Sequence, residues 1–137
     1  MSTYQCEILT IERELFSGEV EFVALPAQSG DMGVYKDHEP MIALLKPGIV
    51  RLTVPGEGEQ THILINDGYA SIGKHGVRIL CQRAERVDHI DKLDKQQIGV
   101  RRDECKERLD ELAEDDPKAE FLRDEIAWCQ GLLDFRK

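Results

Sequence analysis

The sequence lacks the features that mark membrane-spanning, exported and metal-binding proteins. No run approaches the roughly 20 apolar residues that cross a bilayer, and residues 1–14 have neither the basic region nor the apolar block of a signal peptide. The cysteines are widely spaced, without a C-x-x-C pair, which favours free thiols packed as small apolar residues. We therefore expect a cytoplasmic protein without a metal site. The cysteines are Cys6, Cys81, Cys105 and Cys129.

Catalytic groupings are also missing. The serines have no triad or nucleophile-elbow context, and the four histidines are scattered along the chain. The segment Gly30-Asp31-Met32-Gly33 has neither the lysine nor the length of a phosphate-binding loop. We predict that the chain is not an enzyme and carries no cofactor.

Basic residues are also fewer than acidic residues. The chain has 27 acidic and 18 basic residues and a formal net charge of −9. Nucleic acids and anionic membranes attract basic surfaces, so this charge opposes binding to either. We expect no nucleic-acid partner, and contact with a membrane only through a partner protein.

What the sequence does contain, in residues 1–87, is a series of short apolar segments with turn residues between them. The clearest alternation runs over residues 15–25, where Val20, Phe22 and Ala24 share one face. We predict that Pro26 ends this strand, because proline cannot donate to a ladder. Short strands at near-regular spacing predict an antiparallel β-sandwich or barrel.

Four segments predict the connections between these strands. The Gly30–Gly33 segment predicts a loop tip with positive φ at both glycines. Pro47-Gly48 suits the two central positions of a type II turn, and Asn66-Asp67-Gly68 predicts a tight hairpin. Gly73-Lys74-His75-Gly76 predicts another turn.

Residues 88–137 have a different composition, since half of them are charged and strand-like alternation disappears. Asp88 and Asp91 are candidate N-caps for a helix that runs to about Glu114. Asp116 followed by Pro117 predicts a second helix start. Two helices joined by a short turn form an antiparallel hairpin, which is too small to be stable without further packing.

A few polar residues are candidates for contact with partners. His38 has acidic neighbours on both sides, and is either a structural histidine at a turn or a contact group. A basic cluster on the first helix either forms intrahelical ion pairs or docks on an acidic partner surface. This basic cluster consists of Arg101, Arg102, Lys106 and Arg108.

Four motifs at their spacings resemble the epsilon subunit of the bacterial F-type ATP synthase. The resemblance covers essentially the whole chain and is strongest over residues 15–52. It implies an α+β fold, in which a flattened antiparallel β-sandwich of about ten strands (1–87) precedes a two-helix hairpin (88–137). The motifs are Phe16-Ser17-Gly18, Gly33-Val34-Tyr35, His38-Glu39-Pro40 and Lys46-Pro47-Gly48.

The resemblance also implies a function. Such a subunit is a non-catalytic part of the central stalk, or rotor, and couples proton-driven rotation of the c-ring to ATP synthesis. It lies at the cytoplasmic face of the plasma membrane, held there by the complex. Its partners are the gamma subunit, the c-ring and, when the hairpin extends, the alpha/beta catalytic head, where the hairpin inhibits ATP hydrolysis.

Site residues follow from the same resemblance. The basic cluster matches residues that meet an acidic segment of the beta subunit in the catalytic head. The expected c-ring contact residues are Gly30, Asp31, Met32, Gly33 and His38.

One motif departs from the family pattern. Members whose hairpin binds ATP carry I/L-D-x-x-R-A at the start of the first helix, and the matching stretch here is Ile90-Asp91-Lys92-Leu93-Asp94-Lys95. Asp94 stands in place of the arginine and Lys95 in place of the alanine. Since an aspartate repels phosphate, we predict weak or no ATP binding by this chain.

A second interpretation remains open from the sequence. The chain could be a free-standing β-sandwich binding module that dimerises through its helical hairpin. Co-purification with the gamma subunit and the c-ring supports the stalk subunit, whereas a stable homodimer without membrane association supports the module.

Overall fold

The computed structural model of the protein describes residues 2–90 and 92–134. The chain folds as two compact units, Met1–Arg86 with all ten described strands and Val87–Lys137 with the helices. The predicted α+β class, with a β-sandwich or barrel before C-terminal helices, is confirmed. The strands are β1 Tyr4–Leu9, β2 Glu14–Val20, β3 Phe22–Ala27, β4 Gly30–Val34, β5 Met41–Leu45, β6 Gly48–Thr53, β7 Thr61–Ile65, β8 Gly68–Gly73, β9 Gly76–Cys81 and β10 Ala84–Arg86.

The strands form one sheet in the order β10-β7-β6-β3-β5-β8-β9-β1-β2, with β4 paired to β3 outside this path. The sheet is nearly closed, because Arg13, which precedes β2, reaches β10 at the other end. Its Nη2 donates to the Ala84 carbonyl (3.0 Å) and pairs with Glu85 Oε2 (2.9 Å). Among the described strands the pairing is antiparallel, except that β1 and β9 are parallel. These two strands lie far apart in sequence, as parallel neighbours require.

The core of this unit is aliphatic, in keeping with the low aromatic content of the chain. Each strand places alternate side chains inside, and all ten strands contribute to one buried cluster. The largest fully buried side chains of the strands are Ile8, Leu25, Leu45, Leu52, Ile63, Ile65 and Ile79.

The predicted strand over residues 15–25 is two strands, β2 and β3, which meet at Glu21. Pro26 does not end β3, since it pairs with Asp31 of β4 and the strand continues to Ala27. Proline is tolerated here because β3 changes partner at this point. Its pairing with β6 ends at Ala24, and its pairing with β5 is at Ala27.

The Gly30–Gly33 segment is not a loop tip but most of strand β4. The turn lies two residues earlier, because Ala27 already pairs with Gly30. Gly30 has the predicted positive φ (127°), whereas Gly33 does not. At Gly33 the requirement is space, since a Cβ there would lie 2.6 Å from the Phe22 ring.

Pro47-Gly48 does not form the predicted type II turn. β5 and β6 are not neighbours in the sheet, and Gly48 begins β6 without the positive φ that this turn needs. A Cβ on Gly48 would lie 2.9 Å from Cβ of Pro26, so the glycine allows two strands to approach closely.

Asn66-Asp67-Gly68 does not form the predicted hairpin either, because β7 pairs with β6 and β10 while β8 pairs with β5 and β9. The segment is a corner, where the Asn66 N–H donates to the Arg83 carbonyl and the Gln82 N–H to the Asp67 carbonyl. A Cβ on Gly68 would lie 2.3 Å from the Leu80 carbonyl oxygen. The prediction at Gly73–Gly76 is confirmed, since these residues close the β8–β9 hairpin.

The helices of the second unit are α1 Val87–Ile90, α2 Lys95–Glu111 and α3 Pro117–Asp134. The N-cap of α2 is Asp94, whose Oδ1 accepts from the N–H groups of Gln96 (3.0 Å) and Gln97 (3.3 Å). The predicted cap Asp88 does not have this role, because it lies within the short α1, and the other predicted cap, Asp91, lies outside the described residues.

The two long helices meet at a short turn. α2 ends at Glu111, three residues before the predicted Glu114. The predicted second start is confirmed, since Asp116 Oδ1 accepts from the Lys118 N–H (2.9 Å) and Pro117 opens α3.

Candidate interaction surfaces

An apolar row crosses the outer face of four neighbouring strands. The register places Leu44 of β5 beside Tyr69 of β8, Tyr69 beside Leu80 of β9, and Leu80 beside Leu9 of β1. Leu44 is 60% exposed and the adjacent Ile42 is 69% exposed, while the inward-facing neighbours on these strands are buried. We refer to these five side chains as the apolar row.

A polar row borders the apolar row on the same face. Ser71 pairs with Ile42 on one side and with Arg78 on the other. Arg78 in turn lies beside Glu7 of β1, with Nη2 3.5 Å from the glutamate Oε1. An exposed apolar patch with a polar rim is typical of a protein–protein interface.

Sequence reasoning missed the apolar row, although a signal for it was present. The segment Met41–Leu45 is apolar at every position. A strand that is apolar at every position has an apolar side chain on both of its faces. One face packs against the core of its own unit, so the other is left for a partner.

The structure places the expected c-ring contact residues in one strand and in the loop that follows it. Four of them lie in β4, whose one partner among the described strands is β3, and Asp31 is exposed near the turn end of β4. His38 lies in the loop after β4, half-buried, with Nδ1 2.8 Å from the Glu39 carbonyl oxygen. Asp31 and the end of β4 at Val34 are roughly 10 Å apart at 3.3 Å per residue. Asp31 therefore lies near the first end of β4, and His38 follows its other end.

A cleft of about 520 Å³ adjoins His38, between the β4–β5 loop and the β8–β9 hairpin. The Tyr4 hydroxyl donates to the Val34 carbonyl at its floor. Its rim combines two lysines with two acidic side chains, and therefore has no dominant charge. The charged rim residues are Lys36, Asp37, Glu39 and Lys74.

Half of the basic cluster on α2 bonds across the hairpin. Arg101 Nε lies 3.5 Å from Oε2 of Glu125 in α3, and Glu125 is buried. Arg102 Nη1 donates to Gln130 Oε1 of α3 (2.9 Å), while its Nε donates to the neighbouring Asp103 (3.1 Å). These two arginines thus stabilise the packing of α2 on α3.

The other half of the basic cluster is free. Lys106 and Arg108 are exposed, and neither forms an ion pair or side-chain hydrogen bond with any other residue in 2–90 or 92–134. Both remain available to an external acidic group.

The cysteines behave as predicted, since all four are free and buried. Burial raises the pKa of the Cys6 thiol to about 12, with a smaller contribution from the charge of Glu7. Burial also raises the pKa of Cys81 to about 11. These two thiols are therefore protonated packing residues and not nucleophiles at neutral pH.

The described part of the chain has neither a candidate membrane span nor a candidate metal site. It has no helix long and apolar enough to cross a bilayer. It also has no cluster of three or more His, Cys, Asp or Glu side chains that could hold a metal ion.

Comparison with known proteins identifies the family. The sequence model for the β-sandwich domain of ATP synthase delta/epsilon chains matches residues 3–87. The chain belongs to the ATP synthase delta/epsilon chain family.

Two members show the extent of the similarity. The ATP synthase epsilon chain of Herminiimonas arsenicoxydans is 38% identical over 89 residues, which are 65% of this chain and 64% of that protein. The epsilon chain of Laribacter hongkongensis is 35% identical over 91 residues, or 66% and 65% of the two chains. The chain thus spans just under two thirds of the length of these curated relatives.

Solved structures share the fold at low identity. A chain in the mitochondrial ATP synthase of Euglena gracilis superposes with a TM-score of 0.70 at 18% identity, covering 96% of this chain and 80% of that one. A chain in the central stalk/c-ring structure of the Tetrahymena thermophila enzyme gives 0.53 at 8% identity, with 99% and 98% covered. The family match ends at Val87, where α1 begins, so the delta/epsilon assignment rests on the β unit.

Proposed function

We propose that this delta/epsilon family chain is the non-catalytic epsilon-type subunit of the central stalk of an F-type ATP synthase. In this role it couples rotation of the c-ring to ATP synthesis, and the complex holds it at the cytoplasmic face of the membrane. The family match and the epsilon-chain relatives support this role.

The apolar row is the observation that carries the proposal. An isolated binding surface of this kind exposes apolar area to water, and burying each large side chain against a partner stabilises the assembly by about 1.5–3 kcal/mol. We assign the gamma subunit to this surface. The flat outer face of four strands offers a rigid platform, and its polar rim provides the specificity of an interface.

The test is co-purification of the chain with gamma from cells that express the whole complex. Leu44→Glu places a charge in the middle of the apolar row and should lower the recovered gamma at least tenfold. Arg51→Glu places the same side chain at an exposed strand position outside the row and should leave recovery unchanged. Normal recovery with Leu44→Glu would show that gamma docks elsewhere.

For the c-ring we propose the turn end of β4. Asp31 is exposed there, on a strand that pairs with a single other strand in the described part of the chain, so its side chain is accessible to loops of a partner. Asp31→Arg should reduce ATP-driven proton pumping by membranes that carry the complex, whereas Glu59→Arg, in the exposed β6–β7 loop, should not. Full coupling in the Asp31 variant counts against this contact.

We also propose that the helical unit inhibits ATP hydrolysis by the complex. The support is the exposed pair Lys106 and Arg108, which can meet an acidic surface of the catalytic head. Truncation after Arg86 removes the helical unit at its boundary. The ATPase activity of the truncated complex should rise, and unchanged activity would show that this protein does not inhibit through its helices.

A further inference from the structure

The apolar row has a geometry that suits a second copy of this chain. Four of its members, Leu44, Tyr69, Leu80 and Leu9, lie at the same height along their strands, because the register pairs each of them with the next. A two-fold axis that runs parallel to the strands, between two copies that face each other, maps such a row onto itself. An isologous interface requires this kind of self-complementarity.

The position of the axis follows from which side chains have to be covered. An axis between β8 and β9 sets Leu44 opposite Leu9 of the second copy, and Tyr69 opposite Leu80 of the second copy. All four side chains are then covered in both copies. The two sheets pack face to face with their strands nearly aligned, as in a β-sandwich.

The charge of this face also favours a second copy. The chain has a formal net charge of −9, so two copies repel each other in most orientations. On this face the charge of Glu7 is balanced by Arg78, 3.5 Å away, and the other members of the apolar and polar rows are uncharged. The same axis sets Ser71 opposite Arg78 of the second copy, where the guanidinium can donate to the hydroxyl. The two faces therefore meet without a contact between like charges.

The size of the patch limits the strength of this contact. Four strands about 4.8 Å apart, with two rows of side chains across them, cover roughly 250 Å². Each partner in a standard protein–protein interface contributes about 800 Å². A patch of this size holds two copies together only at high concentration and gives way to a larger partner surface.

We propose that the free chain forms a weak symmetric dimer through the apolar row. The dimer covers the exposed leucines and Ile42 before the chain enters a complex. Gamma, which we assign to the same surface, then replaces the second copy. The dimer itself does not depend on the proposed function, whereas the competition with gamma does.

Sedimentation equilibrium of the full chain, purified without gamma, tests the dimer. The average mass should rise from monomer towards dimer between about 10 µM and about 1 mM chain. Leu44→Glu should weaken the association at least tenfold, while the matched control Arg51→Glu should associate like the wild type. A wild type that stays monomeric over this range would overturn the dimer, and equal association of the two variants would exclude the apolar row as its interface.

Salt gives a second readout that does not depend on a substitution. Added salt screens the repulsion between two chains of like net charge and leaves apolar contacts in place. The wild-type dimer should therefore become several-fold tighter in high salt. Dissociation of the dimer by salt would contradict an apolar interface.

Cross-linking with a short bifunctional maleimide tests the position of the axis. A mixture of Leu44→Cys and Leu9→Cys chains should cross-link several-fold more than either variant alone, because these two positions lie at opposite ends of the row, roughly 14 Å apart in one copy. The native cysteines are buried, and a mixture of Arg51→Cys and Leu9→Cys chains gives the background. If each variant cross-links alone as well as in the mixture, the proposed axis is wrong.

Gamma separates this inference from the proposed function. If Leu44→Glu leaves the recovery of gamma unchanged, the gamma assignment fails, and sedimentation still decides whether the dimer forms. If that recovery falls, complexes from cells that express both the Leu44→Cys and the Leu9→Cys chain should contain no cross-linked pair in the gamma-bound fraction. A cross-linked pair bound to gamma would overturn the competition for one surface.

Discussion

The two units of this chain are held together in different ways. In the β unit every strand contributes to one apolar cluster, and glycines allow strands to approach at separations that no other residue permits. In the helical unit α2 contributes a single fully buried side chain, Cys105, and caps and ion pairs supply much of the specific geometry. The β unit is therefore held by one continuous apolar core, whereas the helical unit combines a smaller set of buried apolar side chains with caps and ion pairs.

The largest expected effect tests the close-packed character of the β unit. Gly76 has φ 103°, and a Cβ there would lie 2.0 Å from the Gln5 carbonyl oxygen. Gly76→Ala combines backbone strain with overpacking between β9 and β1, and should lower the free energy of unfolding by about 4 kcal/mol. Urea unfolding followed by circular dichroism measures the change.

Gly58→Ala is the matched control for this substitution. Gly58 lies in the β6–β7 loop with nothing within 4 Å of the added Cβ and no positive φ. Its stability should stay within about 0.5 kcal/mol of wild type. If the two variants unfold at similar urea concentrations, close backbone approach is not what fixes the β unit.

The difference between local and long-range contacts explains how much of the fold could be predicted from the sequence. Alternation predicted most of the strands and their antiparallel sandwich or barrel class, and local chemistry predicted the Gly73–Gly76 turn and the start of α3 at Pro117. These features depend on residues that are neighbours in sequence. Strand pairing depends on distant residues, so Asn66-Asp67-Gly68, a hairpin signal by composition, forms a corner between different pairs of strands.

Two glycines that were predicted to be turn residues also show that contacts between distant residues cannot be predicted from local sequence. Gly48 and Gly33 serve close packing against Pro26 and Phe22, which no local pattern can reveal. The basic cluster was recognised from sequence, but its division into held and free halves was not, because it requires the position of Glu125 on the facing helix.

The two buried thiols of the β unit predict an alkaline weakness of this unit. Burial raises the pKa of Cys6 from its usual 9.0 to about 12, and Cys81 shifts in the same direction. Above pH 9 the unfolded chain releases these protons while the folded chain keeps them, so stability is intact below pH 9 and declines as the pH rises towards 12. The slope for Cys6 is about 1.4 kcal/mol per pH unit.

Thermal unfolding between pH 7 and 11 measures this decline. Cys6→Ala lowers stability at pH 7 through lost packing, but should make the decline above pH 9 visibly shallower. An equal slope for wild type and variant would mean that other groups cause the alkaline loss.

A smaller effect is expected at the cap of α2. Asp94→Ala removes the acceptor for two N–H groups and should destabilise the helical unit by about 1 kcal/mol. Trp128 in α3 is the single tryptophan, so its fluorescence during urea unfolding follows this unit. Glu104→Ala, at an exposed position of α2, should change the midpoint little, and a matching loss there would argue against a specific cap.

The smallest expected signal is the heat of ATP binding. The aspartate that replaces the motif arginine is also the N-cap, with its carboxylate oxygen directed at the first turn of α2. That oxygen accepts hydrogen bonds from N–H groups that could otherwise bind a phosphate, and the negative charge of the carboxylate repels a phosphate. Isothermal titration of ATP into the full chain should therefore show no saturable heat. Asp94→Asn can keep the cap without the charge, so titration of this variant tests whether charge repulsion contributes to the lack of binding. Micromolar affinity in the wild type would show that the helical unit binds ATP by another arrangement.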